Sequence, residues 1–375
     1  MKRPMRLLAG MAAISLFLSA CGGNGNEGGA TTTEGTDGAG GTTCAADQVD
    51  GDLNFYNWSE YIDPELVSGF EEQYGVDVVE DYYDSNEAML AKLQAGSVYD
   101  LIVPSDYMVG IMIDEGLLAE LQRDAIPNLS NLGAVFADPA YDPGGVYSAA
   151  YQWGTTGLGV NLDVVGEDYE PSWGLVFNPD LVSTYPGGIT LLNDPRETMG
   201  AALKYLGYSL NSTSEAELQE AADVIAGVKD YIAAFDSDQY DENLVNGEVA
   251  VTHGYSGNFF AAFDDIDGWD TFAYVIPEEG ATLWVDNMAV PANAEHPCTA
   301  HTFINYLLDA ENGAALTNWN YYASPNEASN EFIDPDILGD ETIYPSDELR
   351  QKLEIIEDTG DFEINYTDFF AIARS

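Results

Sequence analysis

Four stretches of the chain place an aromatic ring, a carboxylate or both where a strand should end. Trp58, Ser59, Glu60 and Tyr61 follow the first apolar run, and Ser105 and Tyr107 follow the third. Asp194 and Glu197 stand at i and i+3 where a strand should give way to a helix. Trp284 and Asp286 alternate with Val285 in a strand-like run, so both side chains point to one face. A ring beside a carboxylate suits an organic ammonium ion. Each desolvated cation–π contact is worth about 2 kcal/mol, and each charge-assisted hydrogen bond about 1.5–3 kcal/mol. Every stretch also has an ordinary reading. Asp194 reads as an N-cap, with Pro195 at the first helical position and Glu197 completing a box-like cap. That role leaves a strand-end carboxylate free to face a cleft. Trp284 taken alone reads as a core ring beside a solvated Asp286. Four such ends at the ligand edge of one sheet are harder to assign to packing.

Other chemistry has less behind it. No G-x-S-x-G, P-loop or H-E-x-x-H occurs. His253 has no visible nucleophile to serve, and His296 and His301 flank Cys298 without the further ligands a metal needs. No cofactor or metal is expected. Tyr321-Tyr322 admits two readings, paired phenolates for ferric iron or packing in the core or cleft.

The elements that must hold these residues alternate. Leu53–Trp58 reads as a strand, Pro64–Tyr74 as a helix ending at Gly75, and Val76–Tyr83 as a strand. Ser85 caps a helix over Asn86–Gln94, Tyr99–Val103 is a strand, and Met108–Leu121 is helical. Tyr151–Asn161 is extended and Gly-rich, as suits a crossing between domains. Ile189–Leu192 is a strand and Glu215–Phe235 one long helix. Glu248–Thr252, Thr271–Ile276 and Thr282–Pro291 are strands, and Thr299–Leu308, Asp347–Ile356 and Tyr366–Ala373 are helices. Strands alternating with short helices imply an α/β fold with a mainly parallel sheet. Ligands of such sheets bind beyond the carboxyl ends of the strands.

The first residues stand apart from the fold. Lys2, Arg3 and Arg6 precede an apolar stretch, Leu7–Leu18, too short to span a membrane. Leu18-Ser19-Ala20-Cys21 resembles the bacterial lipoprotein processing signal, which implies cleavage after residue 20 and lipid on Cys21. An ordinary secretory signal is the alternative, and both place the mature chain outside the cytoplasm. Residues 21–49 read as a tether. Its 22–43 segment contains nine glycines, no core-forming residue and a reach of roughly 25 Å. With Cys21 lipidated, Cys44 and Cys298 remain as an even pair in an oxidising compartment, either disulfide-bonded or two separate thiols.

The chain of 375 residues carries 65 acidic and 11 basic side chains, a formal charge of −54. Such a charge excludes general affinity for nucleic acid or an anionic membrane face. Loss of residues 1–20 leaves eight basic side chains. Acid in this excess repels itself unless counter-ions screen it, so the bulk charge reads as adaptation to a salty exterior rather than as a ligand signal. A hydrophobic content of 46% supports buried cores, and the length fits two domains.

From Leu53 to its C-terminus the chain resembles the bacterial spermidine/putrescine-binding proteins, extracytoplasmic receptors of polyamine ABC importers. The motifs are FYNWSEYI at 55–62, YDSNEAMLAKLQAG at 83–96, YDLIVPSDY at 99–107, LLNDPRETM at 191–199, LWVDNMAVPANA at 283–294 and NYYASPN at 320–326. The resemblance implies a two-lobed periplasmic-binding-protein architecture with crossing hinge segments, a ligand cleft between lobes and no catalysis. One lobe is expected over 50–155 with 286–330, the other over 156–285 with 331–375. By motif, Trp58, Ser59, Glu60, Tyr61, Ser105, Tyr107, Asp194, Glu197, Trp284, Asp286 and Tyr322 are ligand-binding. Tyr255 stands where spermidine receptors have Trp, and near Ile356 their Gln is missing. Retention of Tyr61 and Tyr107 with Glu60 leans toward spermidine over putrescine. The implied partners are a polyamine, an ABC permease, and the membrane through the lipid anchor alone, with a monomeric receptor. A ferric-iron receptor of similar fold and a secreted glycosidase using Asp194 and Asp286 are the alternatives.

Overall fold

The computed structural model describes residues 43–375. The expected signal peptide, the lipid-bearing Cys21 and most of the tether lie outside the described residues.

Strand β1 (Leu53–Trp58) alternates apolar and polar side chains at its start and then buries Phe55, Tyr56 and Asn57 in succession. It lies between parallel neighbours β2 (Val78–Tyr83) and β3 (Leu101–Ile102). Helix α1 (Pro64–Tyr74) begins at Asp63, whose carboxylate accepts from the Glu65 N–H, and stops at Gly75 in the left-handed region at φ 71°. Helix α2 (Asn86–Gln94) is capped by Ser85, whose hydroxyl accepts from the Ala88 N–H. Helix α3 spans Asp106–Asp114. The expected continuation to Leu121 does not form, because Gly116 turns the chain at φ 67° and Ala119 then hydrogen-bonds Val290.

A 14-residue strand, β4 (Ser148–Asn161), follows, buried along its whole length. Next come β5 (Ile189–Leu191), α4 (Pro195–Tyr205) and α5 (Glu215–Gly227). The long helix expected over Glu215–Phe235 is cut at Gly227. Residues Ile232–Phe235 instead form β6, an edge strand on β5, because their apolar side chains fit the sheet. Helix α6 (Tyr240–Val245), β7 (Val251–Tyr255), α7 (Ser256–Asp265), β8 (Phe272–Val275) and β9 (Leu283–Ala289) precede α8 (Pro297–Leu307), α9 (Ala310–Asn320) and α10 (Glu363–Arg374). The helix expected over Asp347–Ile356 shortens to Asp347–Arg350.

Strand order is β2-β1-β3-β9-β4-β7-β5-β6, with β8 also on β4. The sheet is mixed rather than mainly parallel. β1, β2 and β3 run parallel to one another, as do β5, β6 and β7, but β9 is antiparallel to β3 and β4, and β4 is antiparallel to β7 and β8. The antiparallel pairs come from the crossing. Ser148–Thr155 of β4 pairs with β9, and Thr156–Asn161 pairs with β7 and β8. The chain therefore forms a two-lobed α/β fold, with β4 passing from one half-sheet into the other. Its glycines have a steric purpose. A Cβ on Gly154 would stand 2.8 Å from the Trp284 ring, and one on Gly157 would stand 2.4 Å from the Val275 carbonyl oxygen.

The segment before β1 is tied down by a disulfide between Cys44 and Cys298, the latter in the first turn of α8, with Cα atoms 5.1 Å apart. No helix among the described residues is long and apolar enough to cross a membrane.

Candidate functional site

A cavity of about 770 Å³, including its open mouth, lies where the strand ends of both half-sheets converge on the crossing strands. Its wall contains Trp58, Ser59, Tyr61, Ser105, Tyr107, Asp194, Glu197, Tyr255, Trp284, Asp286 and Tyr322. Of the residues expected to bind ligand, Glu60 alone falls outside this lining. It sits in the left-handed region at φ 52° with its side chain exposed. Partial burial, then repulsion from Glu242, Asp238 and Asp265, lifts its carboxyl.

The turn after β3 shows how local sequence positions the site. Ser105 occupies the N-cap of α3 but makes no side-chain cap. Its hydroxyl donates to Asp286 Oδ1 at 2.7 Å and accepts from Asn86 Nδ2 at 2.9 Å. Asp106 satisfies the backbone instead, accepting from its neighbour Tyr107 N–H at 2.8 Å and from Val285 N–H of β9 at 3.1 Å. Tyr107 donates its hydroxyl to Glu87 Oε1 at 2.8 Å. The indole N–H of Trp58 donates to the Val103 carbonyl at 3.0 Å, fixing the ring against Tyr83.

On the other side, Asp194 caps α4, with Oδ1 accepting from the Arg196 and Glu197 N–H groups. The expected cap box does not close. Glu197 turns away from the N-cap and accepts from Thr156 Oγ1 at 3.0 Å and Thr282 Oγ1 at 2.8 Å. These threonines flank the crossing, so a hydroxyl on each crossing chain holds this carboxylate over the cavity. Four rings stand edge to face: Trp284 lies 5.2 Å from Tyr322, 6.0 Å from Tyr255 and 6.4 Å from Tyr61. The Trp284 indole N–H and the Tyr61 hydroxyl are buried without a hydrogen-bond partner. The Tyr61 hydroxyl lies close enough to Asp286 to feel its charge but outside hydrogen-bond geometry.

The electrostatics are one-sided. Asp106, Asp194, Glu197 and Asp286 are each 6% exposed or less, and no Lys, Arg or His belongs to the lining. Burial lifts the Asp106 and Glu197 carboxyls to about 8 and that of Asp286 to about 7, and repulsion from Asp194 adds to the rise at Glu197. Burial likewise raises the Asp194 carboxyl. Arg196 is the nearby cation, but it is held by Glu363 at 2.6 Å and stacked over Tyr366. Among the described residues no cluster of three or more His, Cys, Asp or Glu could hold a metal ion.

Sequence reasoning missed Tyr83, Asp84, Asn86, Asp106, Ser237, Asp238, Tyr240 and Asn258 in the wall. Asp84, Asn86 and Asp106 lie inside quoted motifs and were within reach. Ser237 and Asp238 follow β6, where the sequence predicts helix. Ile356 lines the cavity and offers it no hydrogen bond.

Residues 65–343 match the model of the bacterial extracellular solute-binding protein family. The chain belongs to that family. A putrescine/cadaverine-binding protein of Pseudomonas aeruginosa is 36% identical over 313 residues, covering 82% of this chain and 88% of the relative. The spermidine/putrescine-binding periplasmic protein of Escherichia coli is 34% identical over 320 residues, covering 85% and 90%. Among solved structures, a putative spermidine/putrescine ABC transporter protein from Listeria monocytogenes superposes with a TM-score of 0.81 at 34% identity, covering 87% of this chain and 99% of that one. A lipoprotein of Treponema pallidum gives 0.74 at 32% identity, covering 86% and 99%. As a solute-binding protein of this family, the chain has its fold in common with these two-lobed receptors.

Proposed function

We propose that the protein is an extracytoplasmic receptor for a polyamine, spermidine or putrescine or both, which it delivers to an ABC importer without chemical change. The observation that carries this is the set of four buried carboxylates that line one cavity with no cationic side chain in its wall. Keeping them charged costs several kcal/mol per group unless a cation enters. The four rings beside them suit methylenes flanked by ammonium groups. The names of the relatives agree with that chemistry. Cys21 carries the lipid, the tether spans residues 21–49, and a monomeric receptor works at the outer face of the membrane. Its lobes are 50–155 with 286–330 and 156–285 with 331–375, closing on the ligand.

The ferric-iron alternative loses its ligand pair. Tyr321 takes a left-handed φ of 61° as the C-cap of α9 and packs near Phe260 and Trp269, whereas Tyr322 lines the cavity. A glycosidase would release reducing sugar, a separate assay. Calorimetric titration with spermidine and putrescine, against diols of matching length, tests the reading. Saturable heat with the amines and none with the diols is expected. Failure of both amines to bind would defeat it.

A further inference from the structure

Three tyrosines of the cavity wall direct their proton to a protein acceptor. Tyr83 donates to the Val103 carbonyl, Tyr322 to Asn258 Oδ1, and Tyr107 to Glu87 Oε1 at 2.8 Å. Of these acceptors Glu87 alone is a carboxylate, and it is not itself part of the lining. It stands in the first turn of α2, where a carboxylate suits the positive end of a helix. An exposed side chain would serve that end equally well. Here Oε2 is shielded from water and has no hydrogen-bond partner, and Tyr107 is the one side chain that donates to the group among the described residues. Burial, and then repulsion from Asp194 beyond the end of β5, raise the Glu87 carboxyl to about 7. The nearby cation is committed elsewhere. Arg196 is paired with Glu363 at 2.6 Å, and its guanidinium lies 5.9 Å from the centre of the Tyr107 ring. A carboxylate so placed costs the ligand-free fold stability, and its one side-chain contact is with a ring of the cavity wall.

An ionised carboxylate accepts hydrogen bonds and donates none. The Tyr107 phenol keeps its proton, since burial and then repulsion from Glu87 and Asp194 hold it well above the ordinary range. That single proton goes to Glu87, which leaves the lone pairs of the phenol oxygen free. The oxygen lies within electrostatic reach of Asp194 and makes no other hydrogen bond among the described residues. We propose that Glu87 is a positioning residue for ligand binding: by accepting the Tyr107 proton it makes Tyr107 an acceptor, so that an ammonium group is held by a phenol oxygen from one half-sheet and the Asp194 carboxylate from the other. An ammonium carries donors only. A phenol free to turn its O–H into the cavity would repel it, and Glu87 removes that orientation. The inference rests on the polyamine reading above.

Calorimetric titration of the full chain with putrescine and with spermidine tests it. The variants are Glu87→Leu, which fills the space and accepts nothing, Glu87→Gln, Tyr107→Phe, and Glu87→Leu combined with Tyr107→Phe, each with a melting curve to show that it folds. Glu87→Leu and Tyr107→Phe are each expected to weaken amine binding about tenfold, the scale of one hydrogen bond to a charged group. The double variant should also lose about tenfold, not about a hundredfold, because both changes remove the same contact. Glu87→Gln, whose amide carbonyl also accepts from a phenol, should stay within about threefold of the wild type. Additive losses in the double variant would show that Glu87 acts independently of the Tyr107 hydroxyl. A Gln loss as large as the Leu loss would assign the effect to charge alone. A lowered melting temperature with unchanged affinity would assign Glu87 to the helix end. Each of these three results overturns the positioning role and leaves the polyamine reading intact. A wild-type chain that binds neither amine defeats the polyamine reading and this role with it.

Discussion

Replacing Asp286 by Asn should move ligand affinity and stability in opposite directions. The side chain is 6% exposed, and Asn retains a carbonyl oxygen to accept the Ser105 hydroxyl, now held at 2.7 Å, so the change removes charge with little change of shape. Loss of one charge-assisted bond to an ammonium costs about 1.5–3 kcal/mol, or roughly 10- to 150-fold in affinity. Full stranding of the ammonium would raise the loss toward about 5 kcal/mol. Without ligand the sign reverses. Burial lifts the Asp286 carboxyl from 3.8 to about 7 in the fold. The folded state thus binds more protons than the unfolded one, and the wild type loses stability as pH rises from about 4 through about 7. At about 1.4 kcal/mol per pH unit this amounts to a few kcal/mol above pH 7. The Asn variant escapes that loss, so its ligand-free melting temperature should exceed the wild type's at pH 8 and match it near pH 4. Calorimetric titration with spermidine and putrescine, beside ligand-free melting curves at the two pH values, reads both effects. Unchanged affinity would remove Asp286 from the site. A ligand-free melting temperature that falls at pH 8 would show that the charge is compensated inside the protein and would refute the electrostatic reasoning.

Three further outcomes are expected. With 65 acidic side chains against 11 basic, the fold should gain melting temperature as NaCl rises from about 0.1 M to molar levels, where screening lengths shrink from about 10 Å to about 3 Å; a steady fall over that range would count against adaptation to salt. Reduction of the Cys44–Cys298 disulfide, which closes a separation of 254 residues, should lower the melting temperature, by up to about 5 kcal/mol of stability on the loop-entropy estimate; a linked peptide in the non-reduced digest checks the bond, and two free thiols would disprove it. Spermidine should shrink the radius of gyration in small-angle scattering, and Glu197→Gln should weaken that compaction, since Thr156 and Thr282 of the crossing chains hold Glu197 over the ligand; tight binding with no compaction would defeat closure.

The placement of the site was legible because strand-end residues are local in sequence. Trp58 to Tyr61, Ser105 to Tyr107 and the Asp194–Glu197 pair each follow a strand, and fold topology sends such ends to one edge. The face shared by Trp284 and Asp286 followed from strand alternation alone. Local signals failed where a neighbour decided the conformation. Ile232–Phe235 has helical spacing beside a helix but joins β5 as an edge strand, and this places Ser237 and Asp238 in the cavity wall.

Side-chain allegiance lay beyond the sequence. A Glu three residues after an N-cap normally reaches back to close the helix end, yet Glu197 turns to two threonines that only the β4 and β9 crossing brings near. Ser105 occupies an N-cap and spends its hydroxyl on Asp286, 181 residues away, leaving Asp106 to bind the backbone. Glu60 and Tyr61 are adjacent, but a left-handed φ at Glu60 puts one outside the lining and the other in it. Residue types and their spacing determined which chemistry this protein carries, because a carboxylate or a ring is the same wherever it lies. Only the tertiary structure decided which carboxylates were stripped of water together, since desolvation and mutual repulsion depend on neighbours that the chain order does not record.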